Sequence, residues 1–520
     1  MSRMQETWRV TKPARTSRGG IVVSQHALAS AAGVEVLEAG GNAVDAAVAT
    51  ALALGIVEPW MSGLGGIGYL VYGDAKSGKT AIIDYGPRAP LALDPGRYKI
   101  LEDAAPRGGF GWPATEGDRH QLGYESAVTP AAVAGFALAL ERFGRKSFAE
   151  VIAPAVALAE RGLPIDWYSI LSITMSAAEL ARDPGAARDF LPGGFPPILP
   201  ESGAGYLARA ALAATYRRLA EAGPRDFYEG ETARLMLEDL AAGGSAIGPA
   251  DLAGTLAEQV EPLIYDYHGV QLSFPGPLTG APTVIAALEE IAGRVPPVPL
   301  GEPDGETFAI YAEALRRAFA ARLEGLGDEP KGGNTTFLCV VDRDGNMAAL
   351  NNTLLSRFGA RVVLPKTGIL LNNAVNWFDP VPGRPNSLGP GKRPLCNMAP
   401  VVASRDGTPW FALGACGGRR IISAVTQLSA LLIDFSMSLE GAFATPRLDA
   451  STDPIEIDVA MAPEDIETLM ARLPAEPVPN TTSPARFAIP SAVMRDPGSG
   501  INSGMAQILS PVAAAVAQPG

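Results

Sequence analysis

The sequence predicts an α+β fold in which β-sheets are sandwiched between layers of helix. Three observations carry that reading. Helix-patterned segments fill the first half of the chain and return near residues 419–435, and a run of short β-branched and aromatic segments lies between them. Hydrophobic residues make up 47% of the 520-residue chain and charged residues 19%, which supports a sizeable buried core. Glycine and proline number 58 and 45, close to a fifth of the chain, so loops are plentiful but the sequence is not low-complexity. At about 150 residues per domain the length allows three domains, or one large layered unit.

The elements follow in order. Gly20 to Gln25 (GIVVSQ) reads as a strand, and helices follow at about 27–39 and 42–56, the second Ala- and Leu-rich and apolar all round. YLVYG and TAIIDY, joined by DAKSGK, form a hairpin. Residues from Leu101 to His120 show little periodicity. A helix is expected to start at Thr129-Pro130, with Thr129 as cap and Pro130 in the first turn. Ser147 and Glu150 have capping-box spacing, and Pro154 is expected to kink or split the helix they open. Residues 184–206 read as surface loop, followed by helices near 207–222, 230–243, 282–293 and 305–324. Gly327 to Asn334 (GDEPKGGN) is a polar connector. Beyond it TFLCVV, NMAALNNT, ARVVLP, GILLNN, APVVAS and PWFALG read as strands.

Charge and rare residues narrow the chemistry. The net charge of −13 argues against nucleic acid or an anionic membrane as partner. Three cysteines and three histidines (His26, His120, His268) make neither a disulfide framework nor a metal cluster, so no metal and no cofactor is expected. The polar, basic start is no secretory signal, and the longest apolar stretch, Ala46 to Val57, is too short to span a bilayer. A soluble, cytoplasmic protein is the expectation.

Two motifs imitate nucleotide sites. Gly73 to Thr80 (GDAKSGKT) matches the P-loop pattern, but a β-branched segment follows where a helix must hold the phosphates, so a hairpin turn is expected. Gly63 to Gly68 (GLGGIG) matches GxGxxG, yet lies between a helix and a strand, the reverse of the dinucleotide arrangement. Close backbone packing is the expected use of these glycines.

The chemistry concentrates after residue 334. Asn334-Thr335-Thr336-FLCVV-Asp342 and Asn346-MAAL-Asn351-Asn352-Thr353 flank Arg343-Asp344-Gly345, a three-residue hairpin loop with glycine in its left-handed position. Centring the loop on Asp344 sets Thr335 directly across from Thr353, with β-carbons about 5 Å apart. Gly417 and Gly418 precede a segment with Ile421, Val425, Leu428 and Leu432 at helical spacing. A helix N-terminus there would present backbone N–H groups to an anion.

Four segments, 40–72 (GGNAVDAAVATALALGIVEPWMSGLGGIGYLVY), 334–346, 367–373 (TGILLNN) and 414–421 (GACGGRRI), resemble the γ-glutamyltranspeptidase family in order, over nearly the whole chain. The resemblance implies an N-terminal-nucleophile hydrolase with a four-layer αββα sandwich. It further implies a precursor that cuts itself between Asn334 and Thr335 into a large subunit, 1–334, and a small subunit, 335–520, which are each other's partners. Whether they assemble further is left open. Thr335 is then the nucleophile, Thr353 orients its hydroxyl, and Gly417 and Gly418 donate to the oxyanion. A free α-amine on Thr335, with an ordinary pKa of about 7.7–8.0, can accept the hydroxyl proton, so no histidine is needed. Thr336 points to the opposite strand face and is the weaker candidate.

The substrate clamp departs from the family. The usual carboxylate-binding arginine falls on Gly86, and Arg88 stands two residues on. Leu355 replaces a common asparagine, and in the segment from Asn373 the acidic residue that would hold an α-ammonium falls on Trp377, which cannot form an ion pair. A serine pair matches Cys396 and Asn397. The expectation is a small-molecule amide substrate whose acyl group is γ-glutamyl or a simpler acid, glutaryl- or oxamate-like, held by Arg88. Two other classes stand beside it: a non-catalytic binding relative, and a nucleotide-binding protein using Gly73 to Thr80.

Overall fold

The computed structural model of the protein describes residues 10–101, 111–324 and 335–519. Two seven-stranded sheets, antiparallel throughout, lie face to face. The first sheet runs, edge to edge, Ala514–Ala517, Ile21–Ser24, Thr336–Val341, Met347–Thr353, Ile67–Gly73, Thr80–Tyr85 and Glu258–Val260. The second runs Arg15–Ser17, Asn502–Ala506, Ile489–Arg495, Thr408–Cys416, Val401–Arg405, Val270–Phe274 and Leu263–Tyr267.

Side-chain alternation explains the layers. On Thr336–Val341, Phe337, Cys339 and Val341 join Val402, Ala412 and Val493 in the core between the sheets. Leu338 and Val340 point the other way, into the core shared with helix Ala43–Val57. A strand buried on both faces reads as a continuous apolar run, as TFLCVV does. The second sheet packs its outer face on helices Ala281–Ala292, Gly305–Glu324 and Arg420–Asp434. The result is the expected αββα sandwich.

Both helices that follow the first strand form, at Ala27–Glu38 and Ala43–Val57. Every residue of the second is buried, and Asn42 and Asp45 close a capping box at its start. The segment from Gly73 to Thr80 is a hairpin turn: Asp74 Oδ1 accepts the Lys76 and Ser77 N–H groups at 2.8 and 2.7 Å, and strand Thr80–Tyr85 follows. In the second glycine motif, a Cβ on Gly68 would sit 1.9 Å from the Asn351 carbonyl oxygen, so glycine is required by close approach.

Some expectations need correction. The helix after Pro130 spans Ala132–Phe143 and is not capped by Thr129. The Gly66 carbonyl accepts the Ala131 and Ala132 N–H groups instead, both at 3.0 Å. Pro154 sits inside one continuous helix, Phe148–Arg161, where its ring is buried and the Ser147–Glu150 capping box holds the first turn. Residues 184–206 are not all loop, because Asp183 caps a helix at Pro184–Phe190. ARVVLP and GILLNN meet only at an isolated Val363–Leu370 bridge, since positive φ at Phe358, Gly359, Arg361 and Gly368 breaks the extended run. The connector from Gly327 lies outside the described residues. Among the described residues, no helix is long and apolar enough to cross a membrane.

Candidate active site

Thr335 is the residue immediately before strand Thr336–Val341 and is 2% exposed. Asn334, the other half of the expected cleavage point, lies outside the described residues. The ladder pairs Thr336 with Asn352 and Phe337 with Asn351, so the next pair outward is Thr335 and Thr353, the register read from the sequence. The loop between them closes on Gly345 at φ +89°. Thr353 is fully buried, and its Oγ1 accepts the Leu355 N–H at 2.8 Å, which directs its own proton elsewhere.

Strand parity aims Thr335 and Thr336 apart. Thr335 shares the face of Phe337, whose ring lies against Gly414 of the second sheet, 2.4 Å from where a Cβ would stand. Two residues beyond Gly414 that strand ends at Cys416, and Gly417 and Gly418 follow. Thr336 faces the helical layer, where its hydroxyl donates to Glu58 Oε2. Glu58 ends the buried helix Ala43–Val57 and was not anticipated as a site residue. Its carboxyl is enclosed, and burial pushes it up to about 8 although the Thr336 hydrogen bond pulls the other way. The signal was present in the sequence: a lone acid closing an apolar helix, Gly55-Ile-Val-Glu58-Pro.

Gly417 and Gly418 take φ +133° and +65°, in the left-handed half of backbone space, between strand Thr408–Cys416 and helix Arg420–Asp434. No described residue accepts a backbone hydrogen bond from either N–H. Both therefore remain available to an anion at the head of a helix whose Ile421, Val425, Leu428 and Leu432 are all buried. Cys416 is no competing nucleophile, because burial holds its thiol well above the usual range and Sγ faces the Ile489 carbonyl. A cavity of about 180 Å³ opens here, lined by Met61, Tyr168, Arg357, Cys416, Gly417 and Arg420 among others.

The expected clamp residues lie elsewhere. Arg88 is exposed and does not line this cavity. Asn373 is committed to the framework: its Nδ2 donates to Gln121 O and Ser356 Oγ at 2.9 Å each, and its Oδ1 accepts the Ser356 N–H at 3.0 Å. Trp377 is 3% exposed and packs, like Leu355, in the core beneath the first sheet. Cys396 is buried, with its thiol pushed up to about 11 by burial, and its carbonyl accepts Arg322 Nη2 at 2.6 Å. Asn397 Oδ1 accepts from the same nitrogen at 3.1 Å. At Gly86 a Cβ would stand 2.6 Å from Arg393 Nη2, so the guanidinium near that slot comes from Arg393. Arg393 pairs with Asp84 at 2.7 Å.

The family described as Gamma-glutamyltranspeptidase matches residues 29–331 and 328–515. Acylase ACY 1 proenzyme of Pseudomonas sp. (strain V22) is 35% identical over 501 residues, 89% of this chain and 88% of that protein. Glutathione hydrolase proenzyme of Escherichia coli (strain K12) is 30% identical over 518 residues, 89% of this chain and 86% of that protein. The crystal structure of cephalosporin acylase from Bacillus halodurans has a TM-score of 0.84, covering 100% of this chain and 99% of that one at 24% identity, a likeness of fold.

Proposed function

The chain belongs to the gamma-glutamyltranspeptidase family and is an amide-cleaving enzyme of the N-terminal-nucleophile type, and we propose that Thr335 is both the product of its self-cleavage and its nucleophile. In the precursor, Thr335 Oγ1 attacks the Asn334 carbonyl, the peptide shifts to an ester, and water hydrolyses that ester to free the Thr335 α-amine. The fragments 1–334 and 335–520 stay together because strand Ile21–Ser24 is paired on both sides by strands of the second fragment.

In the mature site the α-amine takes the hydroxyl proton as Oγ1 attacks the substrate amide carbonyl. Thr353, with its oxygen held by the Leu355 N–H, orients that hydroxyl. The Gly417 and Gly418 N–H groups receive the oxyanion. The leaving amine departs with the proton, and water or a second amine then takes the acyl group from Thr335. The observation that carries this reading is the placement of Thr335: buried, opposite Thr353, and on the strand face that leads to Gly417.

A denaturing gel tests it. The expected pattern is two unequal fragments in active protein, a single band for Thr335→Ala, and loss of turnover by at least roughly 1,000-fold in that variant. Active protein with a continuous chain through residue 335 would overturn the reading.

The acyl group we propose is an acid without an α-ammonium. The described residues lining the cavity beside Gly417 include no Asp or Glu to pair with an ammonium. Glutaryl anilide is expected to be hydrolysed faster than γ-glutamyl anilide, and the opposite order would count against this substrate class.

A further inference from the structure

We infer that Arg357 is the specificity-determining residue of this site, and that it anchors the free carboxylate of a short dicarboxylic acyl group lying in the cavity beside Gly417. The inference rests on the proposed acyl chemistry and deepens it.

The loop that carries Arg357 begins directly after Thr353, so it ties the anchor to the nucleophile's own ladder. It is held in a conformation few sequences adopt. Leu355, Phe358 and Arg361 take φ of +78°, +58° and +58°, although none is glycine. Framework contacts maintain that shape. Leu354 N–H donates to Met61 O at 3.0 Å, Phe358 N–H to Trp60 O at 2.9 Å, and Asn373 grips Ser356 through both its backbone and its hydroxyl. Asn373 thus acts on the substrate only through this loop. The strained residues Leu355 and Phe358 bury their side chains in two separate cores, and between them the loop sets Arg357 against the cavity.

The guanidinium there is half-buried and has few partners from the protein. Its Nε is buried without a hydrogen-bond acceptor, and its Nη1 meets only the thioether sulfur of Met175, at 2.7 Å. No described carboxylate lies within ion-pair distance of it. Arg361, four residues on, shows the contrast: its Nε pairs with Glu179 at 2.7 Å. The neighbouring charges do not discharge Arg357 either. Tyr168 stays neutral, its phenol pushed up to about 12 by burial, and Arg420 adds a second cation to the same cavity, with Nη1 on the Ala485 carbonyl. Arginine stays protonated in such surroundings, so this guanidinium is free to pair with an anion that enters the cavity. A planar fork matches a carboxylate, and the N–H of Gly417, which lines the same cavity, receives the acyl carbonyl at the other end of the chain. A monoamide of glutaric acid has both groups.

The test compares glutaryl and valeryl p-nitroanilide, which share chain length and differ in the carboxylate, together with calorimetric titration of free glutarate. Arg357→Ala is expected to lower the ratio of kcat/KM for glutaryl over valeryl anilide by roughly 100-fold, and Arg357→Lys by less, because it keeps the charge and loses the fork. Glutarate is expected to bind the wild type and not Arg357→Ala. An equal loss on both anilides, or glutarate binding unchanged by Arg357→Ala, overturns the inference. Calorimetry needs no turnover. Glutarate held through Arg357 by a protein that cleaves no amide would break the proposed function and leave the anchor standing.

Discussion

Two corners of the first sheet lie on one line across the strands and are built in opposite ways. Thr335 stands beside Thr353, Thr353 beside Ile67, and the pairing of Gly68 with Tyr85 carries the line on to Gly86. With strands about 4.8 Å apart, the two ends are roughly 15 Å distant. At the Thr335 end the working groups are two short side chains and two backbone N–H groups, positioned by register and by a strand-to-helix turn. At the Gly86 end they are the long arms of Arg393 and Arg322, from distant parts of the chain. Backbone-built geometry tolerates sequence drift around it. Side-chain-built geometry changes with every substitution, and here it has become a framework of ion pairs and carbonyl contacts.

The backbone-built corner should therefore break hardest when its backbone is disturbed. In Gly417→Ala, the added Cβ meets Ala488 Cα at 3.1 Å and must hold φ near +133°, so the loop shifts and its N–H turns from the oxyanion. A fall in kcat of roughly 100- to 1,000-fold is expected, with self-cleavage on a gel as the control for folding. A kcat near wild type would mean the N–H groups do not face the developing charge. Thr353→Val comes next. It keeps shape and removes the hydroxyl, and kcat should drop by roughly 10- to 100-fold as the nucleophile loses its orientation. Thr353→Ser, which keeps the hydroxyl, should recover most of that loss. Equal damage from Val and Ser would assign Thr353 to packing alone.

The same contrast explains what was legible beforehand. Gly345 set the loop of the 336–353 hairpin, and the loop set the register, so Thr335 opposite Thr353 could be read from the chain itself. Apolar periodicity after Arg420 marked the helix that Gly417 and Gly418 precede. Segments with weak alternation, such as Ile489–Arg495 and Asn502–Ala506 in the second sheet, carry no strand signal, because their glycine, proline and polar residues follow no period. Side-chain destinations were less legible still. That Asn373 would brace Ser356, that Trp377 would enter a core, and that Arg393 would occupy the space at Gly86 are consequences of tertiary packing, which spacing along the chain does not encode.

Glu58 belongs to the Thr335 corner, where it accepts from the Thr336 hydroxyl, and gives a test through stability. Its ordinary value is near 4.5, and in the folded protein it is pushed up to about 8 by burial. A folded-state value above the unfolded one means the native protein holds the proton more tightly. This stabilisation is fully present below about pH 4.5 and is lost as pH rises through 8. The neighbouring side chains of Cys416 and Tyr168 stay neutral across that range, and the Thr335 α-amine titrates alike in the wild type and in Glu58→Gln. The wild type should lose on the order of a few kcal/mol between pH 5 and pH 8.5 relative to Glu58→Gln, which cannot ionise. Parallel pH profiles of Tm for the two proteins would show that the carboxyl is not buried in solution.

The smallest effect is expected at Arg88, and it sharpens the comparison most directly. Its side chain is exposed, it makes no ion pair with a described residue, and it does not line the cavity beside Gly417. Arg88→Ala should change kcat/KM for glutaryl anilide by less than about 2-fold, the usual range for a surface charge remote from the chemistry. Arg357→Ala on the same substrate is the internal standard, because both variants remove one arginine and only one of the two reaches the cavity. A loss at Arg88 as large as that at Arg357 would require its loop to fold over the site when substrate binds. The carboxylate anchor would then belong to the side-chain-built corner after all, and the division between the two corners would fail.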